Sequence, residues 1–333
     1  MMVSDLTDLV DELNTKGVIV AEHGLGCLEV RGKDGLDLLH RLSTNDLLGG
    51  PVPRTVRTVF TTEKGRVVTD AEVVVTATQL YLIARSSALG TLWDWIDRFT
   101  IREDIRLEEV TGSLAITWFL GPDSFSSISF QHQLEAHFER AQLPNSPEGV
   151  WWKSDLGSIP GIRWLAGRNI AEGFLDAAVH GGRMNIDAAS YDLIRIAAGV
   201  PTYPNELNGD VHPLEIGLRE AISFKKGCYV GQEVVARLDA YDKVQRRLVL
   251  LAVQEYPDSS GQPVEVILGD QTLGQVTSVS SPLSNGGCLA LAICRKGSHT
   301  DPGTELRIRA GGQTGAARVR EFLGSGFLHP EGL

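Results

Sequence analysis

The stretch Phe224–Leu238, FKKGCYVGQEVVARL, sets two lysines, one thiol, an aromatic and two glycines ahead of a short apolar repeat. Gly227 and Gly231 allow backbone turns that other residues resist. From Gln232 onward, Val234, Val235 and Leu238 follow helical spacing, which predicts a helix there. Ile222 and Phe224, on the other side, read as the end of a strand. Cys228 therefore lies in a tight turn just upstream of a helix start, beside Lys225 and Lys226. A helix N-terminus and nearby ammonium groups both favour a thiolate. Cys228, assisted by Lys226, is thus a candidate nucleophile, metal ligand or redox sensor. The plain alternative is a buried thiol ordering a glycine turn, with the lysines facing water. Glu233 and Arg237 are four apart in the favourable order, which predicts a helix-surface salt bridge worth about 0.3 kcal/mol.

Upstream of this stretch the pattern is mixed. CLEVRG reads as a strand and KDGLDLLHRLSTND as a helix with Leu36, Leu39 and Leu42 on one side. TVRTVF, the turn TEKGR and VVTDAEVVVT predict a β-hairpin, and LYLIAR a further strand. ALGTLWDWIDRFT places Leu89, Leu92, Trp93, Ile96 and Phe99 at helical spacing. DIRLEEV, SLAITWFLG, GVWWKS and GIRWLAG read as strands, and DSFSSISFQHQLEAHFERAQ as a helix. DAASYDLIRIAAGVP predicts a helix closed by Gly199 and Pro201. After Arg247 only short strands separated by Gly, Pro and Ser turns remain, the texture of a small β-barrel. The chain divides near residue 245, into an α+β region over 1–245 and a barrel over 246–333.

Length and charge narrow the function classes. A chain of 333 residues has room for two or three domains. Its formal net charge of −11 argues against direct contact with nucleic acid, which needs clustered Lys and Arg. No apolar run approaches the roughly 20 residues of a membrane span. The first residues lack the basic-then-apolar order of a signal peptide, so a cytoplasmic protein is expected. The four cysteines include no C-x-x-C pair and are expected to be free thiols. Cys27, Cys288 and Cys294 read as small core residues, the last two on one face of a strand with Ala290 and Ala292. The eight histidines form no H-x-x-x-H pattern, so no metal site is expected.

The opening stretch resembles the signature K-G-C-[FY]-x-G-Q-E-x-x-x-R of the YgfZ-type folate-binding family. Lys226, Gly227, Cys228, Tyr229, Gly231, Gln232, Glu233 and Arg237 occupy every fixed position. VRGKDGLDLLHRLSTNDL, EKGRVVTDAEVVV, IRIAAGVP and KVQRRLVLL are similar to further stretches of that family, so the resemblance spans nearly the whole chain. It implies an α+β fold like that of the glycine cleavage T-protein: a ring of three domains, two interleaved α+β parts and a C-terminal β-barrel. It also implies tetrahydrofolate as cofactor in a central hole, and assembly or repair of iron–sulfur clusters as the function. Iron–sulfur client enzymes, radical tRNA-modifying enzymes among them, are the implied partners of a monomer. Folate-contacting residues by the same resemblance are Asn45, Asp46, Asp70, Tyr191, Tyr229, Gly231, Gln232, Glu233 and Arg237. Read as residues alone, Asn45 and Asp46 are also ordinary turn formers. Asp70 stands among valines, where a polar cavity on one face would account for it.

The related aminomethyltransferases carry G-G-I-x-D-D in the hairpin and an acid in R-x-E-A-G. Here Thr69 precedes Asp70, and Ala197 stands in RIAAG. Both departures favour the maintenance factor over a folate-dependent aminomethyltransferase-like enzyme, which is the alternative. A folate sensor or scaffold without chemistry is the third reading.

Overall fold

The computed structural model describes residues 6–21, 24–121, 149–259 and 261–323. Helix α1 (Leu6–Thr15) leads into β1 (Val18–Ala21), β2 (Leu25–Arg31), α2 (Gly35–Leu42), β3 (Arg54–Thr61), β4 (Val67–Val75) and β5 (Leu80–Arg85). Then follow α3 (Leu89–Phe99), β6 (Arg106–Glu109), β7 (Leu114–Leu120), β8 (Val150–Lys153), β9 (Gly161–Gly167), α4 (Arg168–His180), β10 (Met184–Asn185) and α5 (Ala188–Ala197). Helix α6 (Gln232–Ala240) precedes β11 (Arg246–Val253), β12 (Glu265–Leu268), β13 (Gln271–Val279), β14 (Cys288–Arg295), β15 (Glu305–Ala310) and β16 (Gln313–Arg320).

These strands make two five-stranded sheets and one closed barrel. The first sheet has the order β10-β1-β7-β9-β8, and the second β3-β4-β5-β2-β6. The barrel runs β11-β14-β13-β12-β15-β16. Strand β1 belongs to the first sheet, but the chain then builds the whole second sheet before β7 returns to pair with β1, Val18 opposite Leu120. The two α+β parts are therefore interleaved.

Amphipathic patterning explains how the layers stack. On α1, Leu6, Leu9, Val10 and Leu13 are buried at helical spacing. They join Trp118, Ile194 and Ile196 in a core that also takes in Leu248, Leu250, Leu289 and Leu291 from the barrel's outer face. Helices α2 and α3 cover the outer face of the second sheet through Leu38, Leu39, Leu42, Leu92 and Ile96. Cys288, Ala290, Ala292 and Cys294 share the barrel interior with Val266 and Ile308, as the two-residue period predicts.

Three local readings are corrected. The helix over Lys33–Asp46 stops at Leu42, because Ser43 turns extended and bridges to Phe60. On α3 the core side is Leu92, Trp95 and Ile96, while Trp93 is 36% exposed. Ile222–Phe224 is no strand: it follows a single 3-10 turn, Arg219–Ala221, and Phe224 is exposed. Helix α4 had no reading from the sequence; only its Ala171 is buried, with Phe174 partly so. The helix over DSFSSISFQHQLEAHFERAQ lies outside the described residues.

Gly231 caps α6 at a left-handed φ of +85°, and a Cβ there would meet the Thr62 carbonyl oxygen at 2.3 Å. Gly303 has a similar φ of +89° with nothing within 4 Å. Denaturant unfolding of Gly303→Ala should show a loss of about 1 kcal/mol, the conformational cost alone. Gly231→Ala should lose about 3 kcal/mol or more, since backbone must also move. Equal losses would show that the close approach to Thr62 does not constrain the motif.

Candidate functional site

Where the two sheets face each other, Cys27, Val74, Tyr81, Ile83, Ile116, Trp152 and Leu165 form an apolar plug. Beyond it opens a cavity of about 620 Å³, within the roughly 300–1,000 Å³ of small-molecule sites. Strands β3 to β5 bring Arg57, Asp70, Glu72 and Arg85 to it, and β7 and β9 bring Trp118 and Arg163. Tyr191 from α5, the segment 198–202 and residues 216–218 complete the wall. Alternation along β4 explains the pairing of acids. Thr69, Ala71 and Val73 are buried, so Asp70 and Glu72 share the opposite, half-buried face.

Each acid has a guanidinium. Arg57 donates from Nε and Nη2 to Asp70 Oδ2, at 3.1 and 2.8 Å. Both bonds go to Oδ2, so among the described residues Asp70 Oδ1 has no donor. Glu72 accepts from Arg163 Nη1 at 2.7 Å, Ser154 Oγ at 2.8 Å and Trp152 Nε1 at 2.9 Å. Burial pushes the Glu72 carboxyl up, but Arg163 and the two neutral donors outweigh it and hold it below its ordinary range. Burial likewise pulls Arg57 down, and the Asp70 carboxylate overrides it, raising the guanidinium further. Flat surfaces complement these charges: Arg163 stacks 3.7 Å over the Trp118 ring, and Arg85 lies 5.3 Å over Tyr191. Asn45 reaches the cavity too, its amide donating to the Arg57 and Glu220 carbonyls.

The K-G-C-Y motif lies elsewhere. Lys226 Nζ donates to the carbonyl oxygens of Ser43 at 2.7 Å, Asn45 at 2.9 Å and His40. These belong to the end of α2 and the turn after it, where helical carbonyls lack partners. The lysine is a clamp between the Cys228 turn and α2. Burial lowers its pKa to about 8, with the Asp46 carboxylate opposing. Asp46 does not border the cavity. Its Oδ1 accepts from the Leu48 and Gly49 amides, which hold the carboxyl below its ordinary range. Burial raises the Tyr229 hydroxyl to about 12, and Lys226 Nζ lies 5.3 Å from its ring centroid. Gln232, Glu233 and Arg237 ride on α6, and no ion pair joins the last two. Cys228 is exposed.

The residues picked from sequence thus fall into two groups. Asn45, Asp70 and Tyr191 border the cavity. Cys228, Lys226, Asp46, Tyr229, Gly231, Gln232, Glu233 and Arg237 do not, because the motif turn packs on α2, outside the facing sheets. Glu72, Arg57, Arg163 and Trp118 escaped the sequence reading. Glu72 carried a signal, two residues from Asp70 on the same predicted strand. Arg163 and Trp118 carried none, since only sheet pairing sets them opposite β4.

Glu72→Gln leaves Arg163 buried without its charge partner and should cost about 3 kcal/mol at pH 7 in chemical denaturation. A carboxyl lowered by folding contributes stability above its unfolded pKa and loses it as pH falls through the folded one. The variant should therefore lose less stability than wild type on acidification; parallel acid limbs would exclude the ion pair as their origin. Burial lifts the Cys27, Cys288 and Cys294 thiols to about 12, 11 and 12. Iodoacetamide should accordingly alkylate Cys228 far faster than the other three in the native protein. Similar rates would contradict the exposed placement of the turn.

With this geometry in view, residues 10–142 match the family model described as the GCVT N-terminal domain. The chain is 25% identical over 316 residues to an aminomethyltransferase of Symbiobacterium thermophilum, covering 89% of this chain and 83% of that one. It is 23% identical over 323 residues to an aminomethyltransferase of Thermotoga petrophila, covering 92% and 86%. The crystal structure of glycine cleavage system aminomethyltransferase T from Bartonella henselae superposes with a TM-score of 0.73 at 15% identity, over 94% of this chain and 88% of that one. The two interleaved α+β parts and the six-stranded barrel are thus the glycine cleavage T-protein fold, in a chain whose residues 10–142 resemble the GCVT N-terminal domain.

Proposed function

We propose that the protein binds a reduced folate, tetrahydrofolate, in the cavity between its sheets, and that it supports assembly or repair of iron–sulfur clusters in client enzymes through the exposed Cys228 turn. The observation that carries the folate reading is Asp70, which borders a cavity of suitable size and whose Oδ1 has no donor among the described residues. A pterin presents adjacent N–H donors along one edge, which a carboxylate reads well. Tyr191 and Trp118 supply flat apolar surface for its rings. Arg57 and Arg85 supply positive charge for the glutamate carboxylates. Bound folate would supply a one-carbon carrier; the chain's own part is to grip its donor edge and to exclude water. The iron–sulfur reading rests on the resemblance of the Cys228 motif and on the exposure of that thiol.

Aminomethyl transfer is the second reading, favoured by the relatives named above. Thr69 and Ala197 weaken it, because they remove two acids that such chemistry would use to organise attack on the folate nitrogens.

Calorimetric titration with tetrahydrofolate should show saturable binding. Asp70→Asn should raise the dissociation constant by about 10- to 100-fold, or roughly 1.4–2.7 kcal/mol. No heat and no thermal shift at millimolar ligand would end the folate reading. Turnover of a lipoyl-bound aminomethyl donor would establish transfer instead. Cys228→Ser should leave folate binding intact while lowering the activity of an iron–sulfur enzyme in cells under oxidative stress. Unchanged enzyme activity would remove the maintenance role.

A further inference from the structure

Behind the cavity wall lies a buried ion pair that the folate reading does not use. Arg195 on α5 is 2% exposed and Glu206 is fully buried, with Nη1 and Oε2 3.7 Å apart. Both reach toward the wall segment 198–202. Arg195 Nη1 donates to the Val200 carbonyl at 3.2 Å, and Glu206 Oε2 accepts from the Thr202 amide at 3.0 Å. Thr202 in turn accepts from Arg85 Nε at 2.8 Å, and Arg85 is the guanidinium lying over Tyr191.

On its other side the pair meets the barrel. Ser278 Oγ on β13 accepts from Arg195 Nη2 at 3.0 Å and from Asn205 Nδ2 at 3.0 Å, and donates to Glu206 Oε1 at 2.7 Å. Thr277 donates to the same oxygen at 2.5 Å. An unbroken chain of polar contacts therefore runs from β13 through Glu206 and Thr202 to Arg85 and the Tyr191 ring. None of the six barrel strands contributes a side chain to the cavity lining. Bulk stability is a poor reason for the network, since a buried ion pair gains little over apolar side chains of equal volume. Fixed geometry is the better reason.

We propose that Arg195, Glu206 and the Ser278 hydroxyl are positioning residues for the ligand cavity, through which the barrel sets ligand affinity without touching the ligand. The ligand named here rests on the folate reading above; the coupling of barrel to wall does not.

The test uses the full chain. Ser278→Ala removes the central hydroxyl, and Thr277→Val removes a second donor to Glu206 at nearly constant volume; neither residue borders the cavity. Each should raise the dissociation constant for tetrahydrofolate about tenfold and speed hydrogen exchange of the Thr202 amide. Ile308→Val, a deletion in the barrel interior, should lower the melting temperature and leave both readouts unchanged. The proposal is overturned if both β13 variants bind and exchange like wild type. It is equally overturned if Ile308→Val loses as much affinity as they do, because general loosening would then suffice. Should wild type bind no tetrahydrofolate, the folate reading falls alone. Exchange at Thr202 then decides the coupling: faster exchange in Ser278→Ala and Thr277→Val supports it, and unchanged exchange overturns it.

Discussion

The interface between the two five-stranded sheets is apolar at one end and charged at the other, and the rest of the molecule is arranged around that contrast. The plug of Tyr81, Ile83, Ile116, Trp152 and Leu165 fixes how closely the sheets approach. Beyond it the same two sheets carry Asp70, Glu72, Arg57 and Arg163 instead of aliphatic side chains. Two charged layers cannot close on each other as two apolar layers do, because each buried charge must keep a partner and its hydrogen bonds. Glu72 and Arg163 meet that demand within the protein. Asp70, which borders the cavity, meets it through Oδ2 alone among the described residues.

The motif that first draws the eye solves a different problem. Helix α2 is only eight residues long and ends against Ser43, whose backbone turns extended. Lys226 reaches back to three carbonyls there and holds the Cys228 turn against the helix. An ammonium suits this because it offers three donors and a charge that complements the negative end of the helix. The thiol then stands on a braced turn at the surface rather than on a free loop. Asn45 links the cavity to the lysine clamp: it borders the cavity, and its carbonyl receives Lys226.

How much of this was legible in the sequence depends on the range of the interactions involved. Period-two and helical patterns located β2 to β9, α3, α5 and the barrel strands, because side-chain direction along one element is a local property. Asp70 was legible because an acid among valines conflicts with a buried strand unless one face is polar. Arg163 and Trp118 were not, since they reach Glu72 and the cavity only through pairing between strands far apart in the chain. Lys226 was read as an assistant to its sequence neighbour Cys228. Its partners lie more than 180 positions upstream, and no local pattern points to them. Trp93 and Trp95 show the opposite limit: both fit a helix, and which one is buried depends on the sheet beneath.

The interleaving of the sheets also has a kinetic side. Among the described residues, strand β1 pairs with β7 and β10 and with no strand nearer to it in sequence. The second sheet, β2 to β6, is complete in sequence before β7 begins, and two of its four pairings, β3 with β4 and β4 with β5, join strands adjacent in sequence. Contacts between near neighbours close with less loss of chain entropy than distant ones. On the ribosome, then, the second sheet has its full set of strands while β1 still waits with its edges open. Residues Val18–Ala21 are an apolar strand, and such an edge is an aggregation hazard for as long as it stays unpaired. Helix α1, directly ahead of it in sequence, packs on the same core and is the nearest element able to shelter it during that delay.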